Sequence, residues 1–286
     1  MARVAVVTDS TACLPQELAQ EYAIKVVPLS FVFGDVSYRD DPDLDMAEFY
    51  QRLERSDKTP TTSPASPGTY LEVFKELGQE AEGILCITVT SRISGMFEAA
   101  RVAQEAAADA LPDTEVRVMD SGTATMAQGF VALAAARAAR AGQPLEAVWR
   151  AAEEVKSRVE LIAMVDTLEY LAKSGRFPRL GAWAASLVGL KPILTLKEGQ
   201  IRPVTASRNS RRAMEGMLKV ARERTEGKGP LHVSVFHANA LLKAEEFKAV
   251  IQRELSPAEL LIARFTPVMG IYTGPGVLGL VFYAEG

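Results

Sequence analysis

One stretch combines the side chains best suited to holding an anion: Thr88-Val89-Thr90-Ser91-Arg92-Ile93-Ser94-Gly95-Met96-Phe97-Glu98-Ala99-Ala100. An apolar run from Gly83 to Val89 enters it and a long Ala-rich amphipathic run leaves it. The pattern predicts strand, polar turn and helix, with Ser94 at or next to the helix N-cap. A serine there accepts from the free N–H groups of the first turn. The same N–H groups, helped by the helix dipole, can instead hold a carboxylate or phosphate. Taken alone, the stretch fits either an ordinary capped helix or a small anion site.

The elements around it decide how such a turn is presented. Val4–Val7, Lys25–Phe33, Gly83–Thr90 and Thr114–Met119 read as strands, and helices are expected between and after them. This alternation predicts a mostly parallel sheet with helices on both faces. Three hydroxyl-bearing stretches directly follow strands: Ser10-Thr11, Ser91 with Ser94, and Ser121. The carboxyl ends of parallel strands share one edge, where open α/β sheets place their ligands. Ser10, Ser94 and Ser121 are therefore candidate ligand residues. A second hydroxyl-rich segment, Thr59 to Pro67, holds three prolines and reads as a loop.

From Leu161 the texture changes. Leu161–Val165, Lys191–Leu196, Gln200–Ala206, Leu231–Phe236, Glu259–Phe265 and Val277–Tyr283 read as strands, with a hairpin across Lys197-Glu198-Gly199. The sheet they form is expected to be mixed. The predicted architecture is α/β with two domains. Residues 1–160 form a three-layer, mostly parallel sheet, and residues 161–286 form an α/β domain with a mixed sheet. The basic run Arg208–Arg224 fits a solvated helix face or a partner-docking face.

Composition narrows the chemistry. The chain has 286 residues, a formal net charge of −4 and 48% hydrophobic residues, as a folded globular protein does. The acidic balance argues against broad nucleic-acid binding. No apolar run reaches the ~20 residues of a membrane helix, so no stable membrane insertion is expected. The first residues are too short and too polar for a signal peptide, which places the chain in the cytoplasm. Cys13 and Cys86 lack metal-ligand spacing and read as buried free thiols. The aspartates at 35, 40, 41, 43 and 45 allow a divalent cation or a solvated loop that ends in a helix cap at Asp45. Gly274-Pro275-Gly276-Val277-Leu278-Gly279 has dinucleotide-loop spacing but precedes a strand, so it reads as a tight turn. No metal site or cofactor is expected.

These residues also match a known pattern. Val7-Thr8-Asp9-Ser10, Tyr38-Arg39-Asp40, Thr61-Thr62-Ser63-Pro64-Ala65-Ser66-Pro67 and Thr90-Ser91-Arg92-Ile93-Ser94-Gly95 occur in that order. Met119-Asp120-Ser121, Leu171-Ala172-Lys173-Ser174-Gly175-Arg176, Leu190-Lys191-Pro192-Ile193-Leu194 and Gly274-Pro275-Gly276 follow. In this, the chain resembles the DegV family, fatty-acid-binding proteins that serve as the lipid-presenting subunit of bacterial fatty acid kinase. The resemblance implies two α/β domains, with the carboxylate site in residues 1–160 and residues 161–286 closing over the lipid. It implies that Thr62, Ser94 and the Gly95 N–H hold the carboxylate, with Arg176 near the head group. Where many members carry histidine in a His-Thr-Gly-Pro-Gly stretch, this chain carries Tyr272, a neutral hydrogen-bond donor. The implied ligand is a long-chain fatty acid such as palmitate. The implied partner is a dihydroxyacetone-kinase-like fatty acid kinase, so the chain itself is not an enzyme. The alternative is an enzyme that acts on a small phosphorylated or carboxylated metabolite at the same anion site.

Overall fold

A computed structural model of the chain describes residues 3–40, 45–56, 58–177, 183, 187 and 189–286. In chain order the elements begin with β1 (Val4–Asp9), a single 3-10 turn (Ser10–Ala12), α1 (Gln16–Glu21), β2 (Ile24–Val27), β3 (Ser30–Phe33) and β4 (Val36–Arg39). Next come α2 (Met46–Arg55), β5 (Thr61–Ser63), α3 (Pro67–Gly78), β6 (Gly83–Thr88), α4 (Met96–Ala110), β7 (Glu115–Asp120), α5 (Thr125–Arg140) and α6 (Leu145–Arg158). The remainder runs β8 (Glu160–Met164), α7 (Glu169–Lys173), β9 (Lys191–Lys197), β10 (Gln200–Ser207) and α8 (Ser210–Thr225). It ends with β11 (Leu231–His237), α9 (Leu241–Leu255), β12 (Glu259–Arg264), α10 (Pro267–Thr273) and β13 (Leu278–Ala284). The chain divides into two units. One comprises Met1–Phe31, Ser37–Asp40 and Thr62–Arg158, and the other Val32–Val36, Asp41–Thr61 and Val159–Gly286.

The first unit is built on a four-stranded sheet in the order β2-β1-β6-β7, parallel throughout. Every residue of β6 is buried, as a central strand covered on both faces requires. The helix pairs α3–α4 and α5–α6 pack on this sheet. Helix α4 buries Met96, Ala99, Ala100, Ala103 and Ala107, one face at helical spacing. Helix α5 is enclosed on nearly all sides, which its alanines allow by letting backbones approach.

The second unit carries a six-stranded mixed sheet in the order β10-β9-β8-β13-β11-β12, in which only β11 and β12 pair in parallel. Helices α8 and α9 pack on it around a core that includes Met164, Met217, Phe247, Ile251 and Phe282. The β9–β10 hairpin turns through Glu198 (φ 52°) and Gly199 (φ 68°), the two positive angles of a tight primed turn. Along α8 the basic run is largely matched by glutamates: Arg211–Glu215, Lys219–Glu223, Arg222–Glu254 and Arg224–Glu160 are ion pairs.

The fold class is therefore the α/β architecture the sequence predicts, and the differences are local. The expected strand Lys25–Phe33 is two strands, because Pro28 lacks the N–H a continuous ladder needs. The two expected loops contain β4 and β5, which with β3 form a small sheet in the order β4-β3-β5. Asp45 caps α2 through Ala47 N (2.9 Å) and Glu48 N (3.1 Å). Asp40 is buried, and Asp41 and Asp43 lie outside the described residues. Both cysteines are free and buried. Among the described residues no helix is long and apolar enough to cross a membrane.

Candidate functional site

From β1 the first sheet winds one way to β2 and the other way to β6 and β7. The connections leaving β1 and β6 therefore diverge, and open a crevice at the carboxyl ends of these two strands. The sequence places Asp9-Ser10-Thr11 at one lip and Thr88 to Gly95 at the other.

The second lip is held rigidly from both neighbouring strands. Val89 N donates to Asp9 Oδ2 at 2.7 Å, from β1. Ser91 N and Oγ donate to Asp120 Oδ2 at 3.1 and 2.6 Å, from β7. Thr90 N donates to Thr123 O at 3.0 Å, and Ile93 N turns back onto Thr90 O at 3.2 Å. This scaffold delivers Ser94 and Gly95 to the start of α4. No side chain caps that helix at Gly95, and Ser94 Oγ reaches Met96 N only at 3.4 Å. The first turn thus retains N–H groups and the positive end of a fifteen-residue helix for an anion.

The Thr-Ser-Pro segment meets the same turn. A side chain at Gly95 would lie 3.3 Å from Pro64 Cγ, so the glycine gives Pro64 room. Ala65 N lies 3.1 Å from Met96 Sδ, and Tyr70 Oη from α3 lies 3.9 Å from the same sulfur. Thr62, two residues before Pro64, is half-buried on β5. Thr62, Ser94 and Gly95 are thereby carried on adjoining segments.

Ser10 and Ser121 are engaged with their own surroundings. Ser10 Oγ donates to Asp40 Oδ2 at 2.6 Å and accepts from Leu29 N at 3.1 Å. Ser121 Oγ donates to Thr123 O at 3.1 Å and accepts from Thr123 N at 3.3 Å. Both hydroxyls are buried and fix backbone at the sheet edge.

In the second unit, the exposed Arg176 lays its guanidinium over the Tyr272 ring, 4.3 Å from the centroid. Ser174 shapes the approach: its Oγ donates to Leu171 O at 2.6 Å and accepts from Arg176 N at 3.2 Å. Tyr272 sits near the end of α10, which stops at Gly274 (φ 73°). A side chain at Gly274 would strike the Tyr170 ring, and one at Gly276 (φ 84°) would strike the Asp166 carboxylate. The Gly-Pro-Gly turn is required by close approach, not by a phosphate.

Asp9 and Asp120, which hold the second lip, were not among the candidate ligand residues. Asp9 is fully enclosed, and burial pushes its acid above the usual carboxylate range despite hydrogen bonds from Thr11, Val89 and Gln128. Burial also raises Tyr70 and Cys86 well above their ordinary values, so both stay neutral. The signal was the repeated apolar strand followed by Asp-Ser, in Thr8-Asp9-Ser10 and Met119-Asp120-Ser121.

The DegV family model matches residues 3–285. The chain belongs to the DegV family. It is 32% identical over 286 residues to a DegV domain-containing protein of Halalkalibacterium halodurans, with all of both chains covered. Among solved structures, a fatty acid binding DegV family protein from Thermus thermophilus is 30% identical, with a TM-score of 0.89 over 99% of this chain and 100% of that one. DegV from Bacillus subtilis, a fatty acid binding protein, gives the same identity and TM-score over 100% of both chains.

Proposed function

We propose that the chain binds a long-chain fatty acid such as palmitate, with the carboxylate held by the hydroxyls of Thr62 and Ser94 and by Gly95 N–H. The observation that carries this reading is the α4 first turn, without a side-chain cap at Gly95, flanked by Ser94 and overlaid by the Thr62–Pro64 segment. A sixteen-carbon tail is worth roughly 12 kcal/mol gross at about 0.8 kcal/mol per CH₂. Ordering removes part of that gain. The tail therefore supplies the affinity, and the anion site lowers the cost of burying the head group. Arg176 and Tyr272 are assigned to the head group on the family resemblance. Tyr272 serves as a neutral donor where many members have histidine. Ser10 and Ser121 act by holding backbone.

Organic extraction and mass spectrometry of the purified protein test the ligand. A bound acyl chain is expected, and an empty extract with no palmitate uptake by the stripped protein would overturn the reading. Thr62→Ala with Ser94→Ala should weaken palmitate binding by at least about tenfold, since one hydrogen bond to a charged group already contributes that much. Unchanged affinity would locate the head group elsewhere. We further propose that the chain turns over nothing itself and presents the carboxylate, in the cytoplasm, to a separate dihydroxyacetone-kinase-like fatty acid kinase. Acyl-phosphate formation should then require both proteins. Formation by the kinase alone at the same rate would refute the presenting role.

A further inference from the structure

Three residues, Pro64 to Ser66, join β5 to α3 and meet the first turn of α4. The segment has few ways to fasten itself there. Pro64 carries no N–H, and its Cγ would lie 3.3 Å from a side chain at Gly95. Ser66 is committed forward, its Oγ capping α3 through Thr69 N at 3.1 Å. Ala65 N–H is left, and it donates to Met96 Sδ at 3.1 Å. Among the described residues no other acceptor meets that N–H.

Met96 is the first residue of α4, directly after Ser94 and Gly95, and it is fully buried. Its sulfur also lies 3.9 Å from Tyr70 Oη, one turn into α3. Burial raises Tyr70 well above its ordinary value, so the phenol keeps the proton it can donate. One sulfur thus receives a backbone N–H from the segment and a hydroxyl from the helix that follows it. A thioether is a weak acceptor but a polarisable one, and it packs favourably beside an aromatic ring. Leucine would fill nearly the same volume and accept neither bond.

Thr62 stands three residues before Ala65, and Ser94 two before Met96. The contact therefore closes a short circuit between the two proposed hydroxyl ligands. Apolar contact alone would let the segments slide, whereas a hydrogen bond is directional and sets their register. We infer that Met96 is a positioning residue: its sulfur fastens the segment that carries Thr62 across the turn that carries Ser94 and Gly95.

The inference rests on the proposed fatty-acid site, and its test keeps the two apart. Met96→Leu keeps the volume and removes the acceptor. Palmitate affinity should fall by about fivefold, the worth of one modest hydrogen bond. The loss should run through Thr62. In a Thr62→Ala background the same change should alter affinity by less than about twofold, because the segment then has no hydroxyl to place. Unchanged affinity in Met96→Leu, or an equal loss in both backgrounds, would overturn the inference. A second measurement uses the wild-type protein alone. Its Ala65 N–H should exchange with solvent at least about tenfold more slowly than an open peptide amide. Exchange at the open rate would likewise overturn the inference. Wild-type protein that takes up no palmitate would overturn the fatty-acid reading instead, and Ala65 exchange would still report on the Met96 contact.

Discussion

Asp9, at the end of β1 in the first unit, and His232, on β11 in the second, are both buried and both hold a proton more tightly than the free side chain. The causes are opposite. Asp9 has no cation beside it among the described residues, and burial penalises its charged form. His232 lies between two glutamates, with Nδ1 2.7 Å from Glu259 Oε2 and Nε2 2.9 Å from Glu285 Oε1. Two carboxylates demand two N–H groups, which only the imidazolium has. Its ring stacks on Tyr283 at 4.6 Å, so one cross-strand row in register runs Glu259, His232, Tyr283. In one region the proton removes a charge, and in the other it makes one. A neutral isostere should therefore cost less than outright deletion at Asp9 and forfeit the whole interaction at His232.

The largest effect should come from deleting Asp9 outright. Asp9→Ala leaves Val89 N and Thr11 N buried without their acceptor, at about 1–3 kcal/mol each, so a loss of about 3 kcal/mol in urea unfolding is expected. Asp9→Asn keeps an oxygen for Val89 N but turns its N–H₂ toward Thr11 N, so it should lose about half as much as Asp9→Ala. Equal losses in the two variants would mean that the carboxylate itself holds β1 to β6, and the contrast with His232 would collapse.

His232→Ala should cost less, about 2 kcal/mol near pH 6, mostly from the contact with Glu259. The pH dependence follows from the raised pKa. Folding favours the protonated ring, so its contribution is fully present below the unfolded value of about 6.5 and disappears as pH rises through the higher folded value. The gap between wild type and His232→Ala should narrow accordingly. Asp9 is also raised, so wild type should lose stability relative to Asp9→Asn as pH climbs from about 3.8 toward the folded value. The two windows start almost three units apart by these reference values, and stability curves from acid to mild alkali separate them. A gap that widens with pH for His232→Ala would show that the ring is neutral between its glutamates.

The two regions also differ in what their sequence revealed. The run from Gly83 to Ala110 could be read well because strand and helix each have long, strong periodicity. Helix α10 was invisible: seven residues give too few turns for a period to show, and close packing of Gly270 against Tyr50 helps set its position. At the candidate site, Ser94 is legible from side-chain type and spacing, whereas Thr62 and Gly95 come only from the family resemblance. The roles of Asp9 and Asp120 depend on strand order. Nothing local says that β1 lies beside β6, which puts Asp9 within 2.7 Å of an amide eighty residues away. His232 was hidden for the same reason, since both its acids arrive from other parts of the chain.

The smallest expected effect divides the credit between those two acids. The Glu259 side chain is 16% exposed, whereas that of Glu285 is 55% exposed. Water screens the second pair, and an exposed ion pair contributes about 0–1 kcal/mol. Glu285→Gln should therefore shift stability by no more than about 0.5 kcal/mol and leave the titration of His232 largely in place. Glu259→Gln keeps an oxygen for Nδ1–H but removes the better-shielded charge, so it should cost about 1 kcal/mol and lower the His232 pKa as followed by ring-proton NMR. Equal shifts from the two variants would mean that the pair acts as a charge clamp in which burial plays no part. The distinction between a proton held by solvent exclusion at Asp9 and one held by a single shielded partner at His232 would then have to be redrawn.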